Sequence, residues 1–489
     1  MRRLARLVRG ALAGLRARAA LRALAAPGTP LLLLAASAAA APDLLELSCP
    51  PQISYRVYRD LDHDGMEDLI AVGEREAWLW HGRARPGKEP DAKLVMPQGA
   101  ALFDVGPDDA KEQAFVVRTA QGYFALRPGA EPEALPHPSG PGLPLAPANL
   151  LWRAFFGDFD GDGKTDFLDV SLAGYTIAFA KGGAVRIPPL LLETAATRAV
   201  AASGKLVARY ALGDWEYGDF DGDGFGDFAV LESDGLRIYP GLAAGGFDPA
   251  HASEVTLPDA AEADLWFRDF NGDGMTDVLA IRGHDGVASL LLAGEGKGLT
   301  AATRLGFTVP GELRSPVVAD LDGDGRLDLA LPYTARPSIE AAVRAIARGE
   351  AIVKVPVFLN RGGRACFAPR ADAQFAFPAR LRIAADSAGR IRIGGLIVVE
   401  HGADVDGDGR TDLVASIGPA ELGIFRGVPE GLFEKEPWRR VPIPDCSDYE
   451  AVYTAAARLN GDAASDIILH YAGAGRRPDR LFLLLSGKE

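Results

Sequence analysis

The stretch Gly157-Asp-Phe-Asp-Gly-Asp-Gly-Lys-Thr-Asp-Phe167 places four aspartates and three glycines within eleven residues. Carboxylates at that density repel one another, so a counter-charge is needed to make the crowding tolerable. The stretch is one copy of a repeat, D-x-[DN]-x-D-G-x-x-D. Its first, third, fifth and ninth positions are Asp60, Asp62, Asp64 and Asp68 in the first copy and Asp158, Asp160, Asp162 and Asp166 in the second. Next come Asp219, Asp221, Asp223 and Asp227, followed by Asp269, Asn271, Asp273 and Asp277. The last two copies are Asp320, Asp322, Asp324 and Asp328, and Asp404, Asp406, Asp408 and Asp412. Arg458-Leu-Asn-Gly-Asp-Ala-Ala-Ser-Asp466 is a seventh stretch that lacks the first carboxylate and the glycine. Asp104-Val-Gly-Pro-Asp-Asp109 stands where an eighth would fall.

The spacing of the copies sets the architecture. From 60 to 158 is 98 residues, two units with the decayed copy between them, and most other intervals are 50–61. Each unit reads as four short strands. One unit shows Trp152-Arg-Ala-Phe-Phe-Gly-Asp-Phe-Asp160, Asp166-Phe-Leu-Asp-Val-Ser-Leu172, Tyr175-Thr-Ile-Ala-Phe-Ala-Lys181 and Val185-Arg-Ile-Pro-Pro-Leu-Leu-Leu-Glu193. Short apolar runs broken by Gly, Pro and Asp are strand signals, and four strands repeated at this period are a β-propeller signature. The expectation is all-β, a single propeller domain over 42–489 with eight four-stranded blades, seven being the alternative. The last unit lacks a fourth strand, and Leu44-Leu-Glu-Leu-Ser48 is left over before the first. That segment is expected to complete the last blade and fasten the ring. Cys49 would then approach Cys446, and a disulfide between them is expected.

The alternation Asp-x-Asp-x-Asp-Gly gathers three side chains inside one tight turn, with Asp at the ninth position and a backbone carbonyl near the seventh completing an oxygen shell. An all-oxygen cage on a flexible loop suits Ca²⁺, with Mg²⁺ second because it holds to stricter octahedral geometry. An EF-hand begins similarly but needs Glu at position 12 and flanking helices. Position 12 here is Asp169, Val230 or Ala280, and the flanks are strands. Asx turns without ions are the plainer reading, although a turn does not need four carboxylates.

This pattern resembles the FG-GAP/VCBS repeat family, calcium-loop propellers that include integrin α-subunit heads and many exported bacterial proteins. The resemblance spans nearly all of residues 44–489. It implies that each loop joins the innermost strand of a blade to the next strand and binds Ca²⁺, about six ions at the 24 positions named above. It implies no particular partner, since one fold serves many functions. The six loops bring 23 carboxylates to those positions.

The chain has 489 residues and a net charge of −14. Residues 1–41 hold seven arginines and no acid, so without them the charge is −21. Leu31-Leu-Leu-Leu-Ala-Ala-Ser-Ala-Ala-Ala-Ala41 follows that basic opening, and the whole reads as a secretory signal, either cleaved or retained as an anchor. The run is shorter than the roughly 20 residues a transmembrane helix needs, and no later segment looks transmembrane. The expected location is periplasmic, cell-surface or extracellular, as a monomer. An acidic chain is not a nucleic-acid binder.

An 84-residue interval after Asp320 marks an insertion, 331–395, with ten arginines and one lysine against four acids. Residues 338–348 read as a short helix. Ala379–Ile383 and Arg390–Ile393 read as an extra hairpin with Arg380, Arg382, Arg390 and Arg392 on one face, a candidate anion-binding surface. A protein or an anionic polysaccharide is the partner this composition favours. The alternative is a solvated hairpin covering a blade edge. Seven scattered histidines, no G-x-S-x-G elbow and no phosphate-binding loop point away from catalysis. A polysaccharide lyase on the same propeller is the alternative, with His401 and Tyr333 as its nameable candidates. The expected function is a calcium-binding module or scaffold for a glycan or envelope component.

Overall fold

The computed structural model describes residues 44–486, leaving out 107–114, 136–149, 193–210, 336–349, 386–390, 395–399 and scattered stretches of one to five residues. Eight antiparallel sheets follow one another along the chain as the blades of a propeller. The innermost strands are Tyr55–Arg59, Leu102–Val105, Phe156–Gly157, Trp215–Gly218, Asp264–Arg268, Val317–Ala319, Glu400–Ala403 and Ala451–Ala457 for blades 1 to 8. Blade 2 has one more strand on its inner side, Leu151–Trp152, parallel to Leu102–Val105.

The second strand of each blade is the most apolar, for a packing reason. It lies between neighbouring blades and is covered on both faces, so Asp68–Val72 and Phe115–Thr119 are buried throughout. The core is accordingly divided among the blade interfaces. One cluster joins blades 1 and 2 through Ile70, Leu79, Phe103 and Val117. Another joins blades 5 and 6 through Leu279, Leu290, Leu329 and Phe358. Tyr333 belongs to this second cluster and is buried in it, so it is no candidate for solvent chemistry.

The ring closes as expected. Leu44–Leu47 pairs antiparallel with Arg480–Leu484, Leu44 opposite Leu484, and supplies the outer strand of blade 8. The expected disulfide does not form, and Cys49, Cys366 and Cys446 all keep their thiols. Alternation along the strands of blade 8 is the cause. Cys446 packs with Leu44, Ile467, Leu469 and Leu484 on the face toward blade 7. Cys49 packs with Leu47, Ile468, Leu481 and Leu483 on the face toward blade 1. The sheet itself separates the two thiols.

The insertion lengthens blade 6. Glu350–Phe358 and Ala373–Arg380 form an extended pair of nine and eight residues, where the corresponding strands of blade 1 have five and four. Arg380 closes this pair opposite Glu350 and is not part of the extra hairpin. The hairpin is Arg382–Ala385 with Ile391–Gly394, Arg382 opposite Gly394 and Arg392 opposite Ala384. The strand-period argument therefore misplaced Arg380, because blade 6 continues three residues beyond Phe377 before the hairpin begins. Arg390 and the expected helix lie outside the described residues.

Candidate metal loops and central channel

Every intact repeat is the turn between the innermost and second strands of a blade. The glycine at the sixth position has positive φ in all six, from 77° at Gly163 to 87° at Gly65. Other residues resist that conformation, which explains the glycine. The fourth position is also left-handed, and His63 adopts it at φ 58° where the other loops have glycine.

This turn folds the carboxylates inward onto backbone N–H groups. In the loop from Asp158, Oδ1 and Oδ2 of Asp158 accept from the N–H groups of Asp162 (3.0 Å) and Gly163 (2.7 Å). Asp162 Oδ1 accepts from Lys164 N at 2.9 Å. The ninth aspartate does something different. Asp166 Oδ2 accepts from Phe159 N at 2.9 Å, and Oδ1 from Ala180 N at 2.8 Å, beyond the third strand. The same two-handed clamp recurs at Asp68 with Leu61 and Gly82, Asp227 with Phe220 and Gly241, and Asp277 with Phe270 and Ala293. It recurs again at Asp328 with Leu321 and Asn360, and at Asp412 with Val405 and Gly427. All six ninth-position aspartates are buried. Burial pushes the Asp277 carboxyl up to about 7 and those of Asp227, Asp328 and Asp412 to about 6.

The first, third and ninth carboxylates nevertheless converge. Oxygens of Asp158, Asp160 and Asp166 lie within 4.8 Å of one another, as do those of Asp219, Asp221 and Asp227 and of Asp320, Asp322 and Asp328. In blade 1 the corresponding set is Asp60, Asp62 and Asp64, and His81 joins Asp62 and Asp68 in a second. Several carboxylate oxygens and no sulfur in each set is donor chemistry for a hard divalent cation, so the residues fit Ca²⁺. Basic side chains reach the third position in three loops: Lys181 Nζ to Asp160 Oδ2 at 2.7 Å, Arg426 Nε to Asp406 Oδ2 at 2.7 Å, and His81 Nδ1 to Asp62 Oδ2 at 3.3 Å.

The two degenerate stretches separate structure from ligation. Asp466 clamps Leu459 N and Ser486 N as its counterparts do, although the first position of its loop is Arg458. The ninth aspartate is thus kept where the cage is broken. Blade 2 lacks it: strand register puts Phe115 opposite Val105, as Asp68 stands opposite Arg59. Asp104 therefore lies inside the innermost strand, where it accepts from Phe155 N at 2.8 Å across the blade 2–3 boundary. Sequence reasoning missed the clamp, and its one available signal was the retention of Asp466.

A cavity of about 580 Å³ opens among the innermost strands of blades 1 to 5. Its wall includes Arg59, Trp152, Arg153, Trp215, Glu216 and Asp264. No sequence motif marks it, because its residues come from different blades and do not recur as a pattern from repeat to repeat.

A family model described as FG-GAP-like repeat matches residues 219–280 and 269–331. Each match begins on the first aspartate of a loop and ends past the start of the next blade's second strand. The chain carries FG-GAP-like repeats. No match to a curated protein is found. Among solved structures, this propeller resembles BBS1N in complex with ARL6DN at 10% identity and TM-score 0.42, covering 91% of this chain and 94% of that one. It also resembles an Agrocybe aegerita lectin that recognises non-reducing terminal N-acetylglucosamine, at 15% identity and TM-score 0.40, covering 82% and 94%. Virginiamycin B lyase from Staphylococcus aureus is similar at 12% identity and TM-score 0.33, covering 80% and 97%. These likenesses concern architecture alone. Among the described residues, no helix is long and apolar enough to cross a membrane.

Proposed function

We propose that this FG-GAP propeller is an exported, calcium-stabilised binding module that performs no catalysis of its own. The observation that carries this reading is the convergence of first, third and ninth carboxylates in loop after loop. Repeated around a ring, such a feature serves the scaffold, since a catalytic centre is built once. Ca²⁺ held there would be coordinated by the first, third, fifth and ninth side chains and would neutralise their mutual repulsion. The ion would fix the turns that join the first two strands of six blades, leaving a rigid surface for a partner. Export follows from the basic and apolar opening of the chain. The arginine-rich segment 331–395 favours an anionic glycan or an acidic envelope component as one partner.

The test is a pair of measurements on the mature chain. Thermal melts with Ca²⁺ and with chelator should differ, with the calcium form melting higher. A binding screen against acidic glycans and envelope components, in the same two conditions, should yield hits only when calcium is present. A melting temperature indifferent to chelator would overturn the metal assignment. Release of unsaturated uronate products from acidic polysaccharides would overturn the non-catalytic reading.

A further inference from the structure

The cavity among blades 1 to 5 is built from two kinds of side chain in unusual balance. Trp152 and Trp215 supply two half-buried indoles, and both indole N–H groups are already engaged with the wall. Trp152 Nε1 donates to Asp104 Oδ1 at 3.4 Å, and Trp215 Nε1 donates to the Ala154 carbonyl at 2.5 Å. Trp152 also stacks near Phe103 at 6.1 Å, and Trp215 meets Tyr175 edge-on at 5.8 Å. The rings are thus oriented before any ligand arrives, and what remains for a ligand is apolar ring surface.

Around the indoles stand two guanidiniums and two carboxylates, Arg59, Arg153, Glu216 and Asp264. Arg153 Nη1 is anchored to the Trp152 carbonyl at 2.9 Å. The Glu216 carboxyl is pushed up by burial, with Arg268 pulling the other way. Asp104 also borders the cavity, but its two oxygens are committed to Phe155, Val105 and Trp152. The two guanidiniums balance two of the three carboxylates, so the lining carries at most one net negative charge, which disfavours a polyanion and gives a polycation little to hold. Guanidinium donors and carboxylate acceptors stand beside flat apolar surface, and the volume lies within the roughly 300–1,000 Å³ of small-molecule sites. A sugar ring matches that inventory: its C–H face packs on an aromatic ring, and its vicinal hydroxyls bridge carboxylate and guanidinium groups, each donating and accepting.

We propose that this cavity is a saccharide-binding site that takes the uncharged pyranose end of an oligosaccharide against Trp152 and Trp215. The inference rests on the binding-module reading, but it uses a site separate from the basic segment 331–395.

The experiment prints neutral and acidic oligosaccharides on an array, probes them with the calcium-loaded protein, and titrates hits by tryptophan fluorescence. Saturable binding of neutral sugars is expected, weakened at least about tenfold in Glu216→Gln/Asp264→Asn. A second variant, Arg153→Gln, should weaken it as well, and both variants should melt as the parent does. A variant with Arg380, Arg382, Arg390 and Arg392 replaced by serine should bind neutral sugars unchanged. Neutral sugars that fail to bind, or that bind both channel variants as tightly as the parent, overturn the inference. Hits confined to acidic glycans and lost in the four-arginine variant overturn it too, while leaving the binding-module reading standing.

Discussion

The Lys181 ammonium lies 2.7 Å from Oδ2 of Asp160, the carboxylate at the third position of its own blade's loop. The lysine follows the third strand of blade 3, so blade geometry brings a fixed positive charge to a candidate calcium ligand. Arg426 does the same to Asp406 in blade 7. A tethered cation competes with a dissolved one for the same oxygen. Lys181→Ala and Arg426→Ala should each tighten divalent-ion binding at one loop by several-fold, read by calorimetry or terbium luminescence. Affinities that do not change would show that these side chains leave the carboxylates in solution.

The clamp made by the ninth aspartate should be separable from the ion. Asp466→Asn in the broken loop turns an amide N–H toward one of two backbone donors, Leu459 or Ser486. Losing one charge-assisted bond and burying a mismatched donor should cost about 2–4 kcal/mol. The loss should appear in chelator as fully as in calcium. Asp273→Ala, at a fifth position whose Oδ1 holds Met275 N, should cost far more of its stability in calcium than in chelator. Denaturant titrations under both conditions provide the comparison.

The ion-free protein should respond to acid in the opposite sense to most proteins. Burial raises Asp277 to about 7 and Asp227, Asp328, Asp412 and Asp466 to about 6, from 3.8. The folded chain therefore binds more protons than the unfolded chain between those values. That contribution is fully present below the unfolded pKa and is lost as pH rises through 6 and 7. In chelator the melting temperature should be higher at about pH 5 than at about pH 7.5. With saturating calcium the order should reverse, because protons and the ion compete for the same oxygens.

Ring closure depends on a second aspartate clamp. Asp479 Oδ2 accepts from Ile53 N at 2.8 Å and lies 2.9 Å from His470 Nε2, while Oδ1 accepts from Gly473 N at 2.7 Å. Arg56 Nη1 meets the other nitrogen, His470 Nδ1, at 2.6 Å, so the ring is neutral with its proton on Nε2. Burial lowers the imidazole further, against the pull of Asp479. Asp479→Ala leaves two backbone N–H groups and a buried imidazole without an acceptor. A loss of about 3–5 kcal/mol is expected from denaturant melts, at about 1–3 kcal/mol for each buried donor left unsatisfied.

Thiol counting checks the corrected cysteine assignment. Unreduced, denatured protein should show three reactive thiols, and mass spectrometry should find no peptide linking Cys49 to Cys446. The native protein should react slowly, since Cys366 and Cys446 are buried and burial raises the Cys49 thiol to about 11.

Much of this was legible in the chain before any coordinates. The repeat of Asp160, Asp221, Asn271 and Asp322 at blade spacing carries period, strand order and cage chemistry, because each depends on residues close together in sequence. The outer strand at Leu44–Leu47 was legible too, by default, since the last unit ran out one strand short. The extra hairpin was half legible. Alternation placed Arg382 and Arg392 in paired strands but could not tell that Arg380 closes blade 6.

Sequence by itself thus pointed to a propeller of eight four-stranded blades, with seven as the alternative, and to six turns able to hold a cation. A turn's geometry and donor set are local, and repetition makes a local signal unmistakable. Only the tertiary structure decided that the ninth aspartate holds the third strand, that Cys49 and Cys446 face opposite sides of one sheet, and that Trp152, Trp215, Glu216 and Asp264 share a cavity. Those relationships join residues from different strands or different blades. They are set by strand register and ring closure, which no single repeat records.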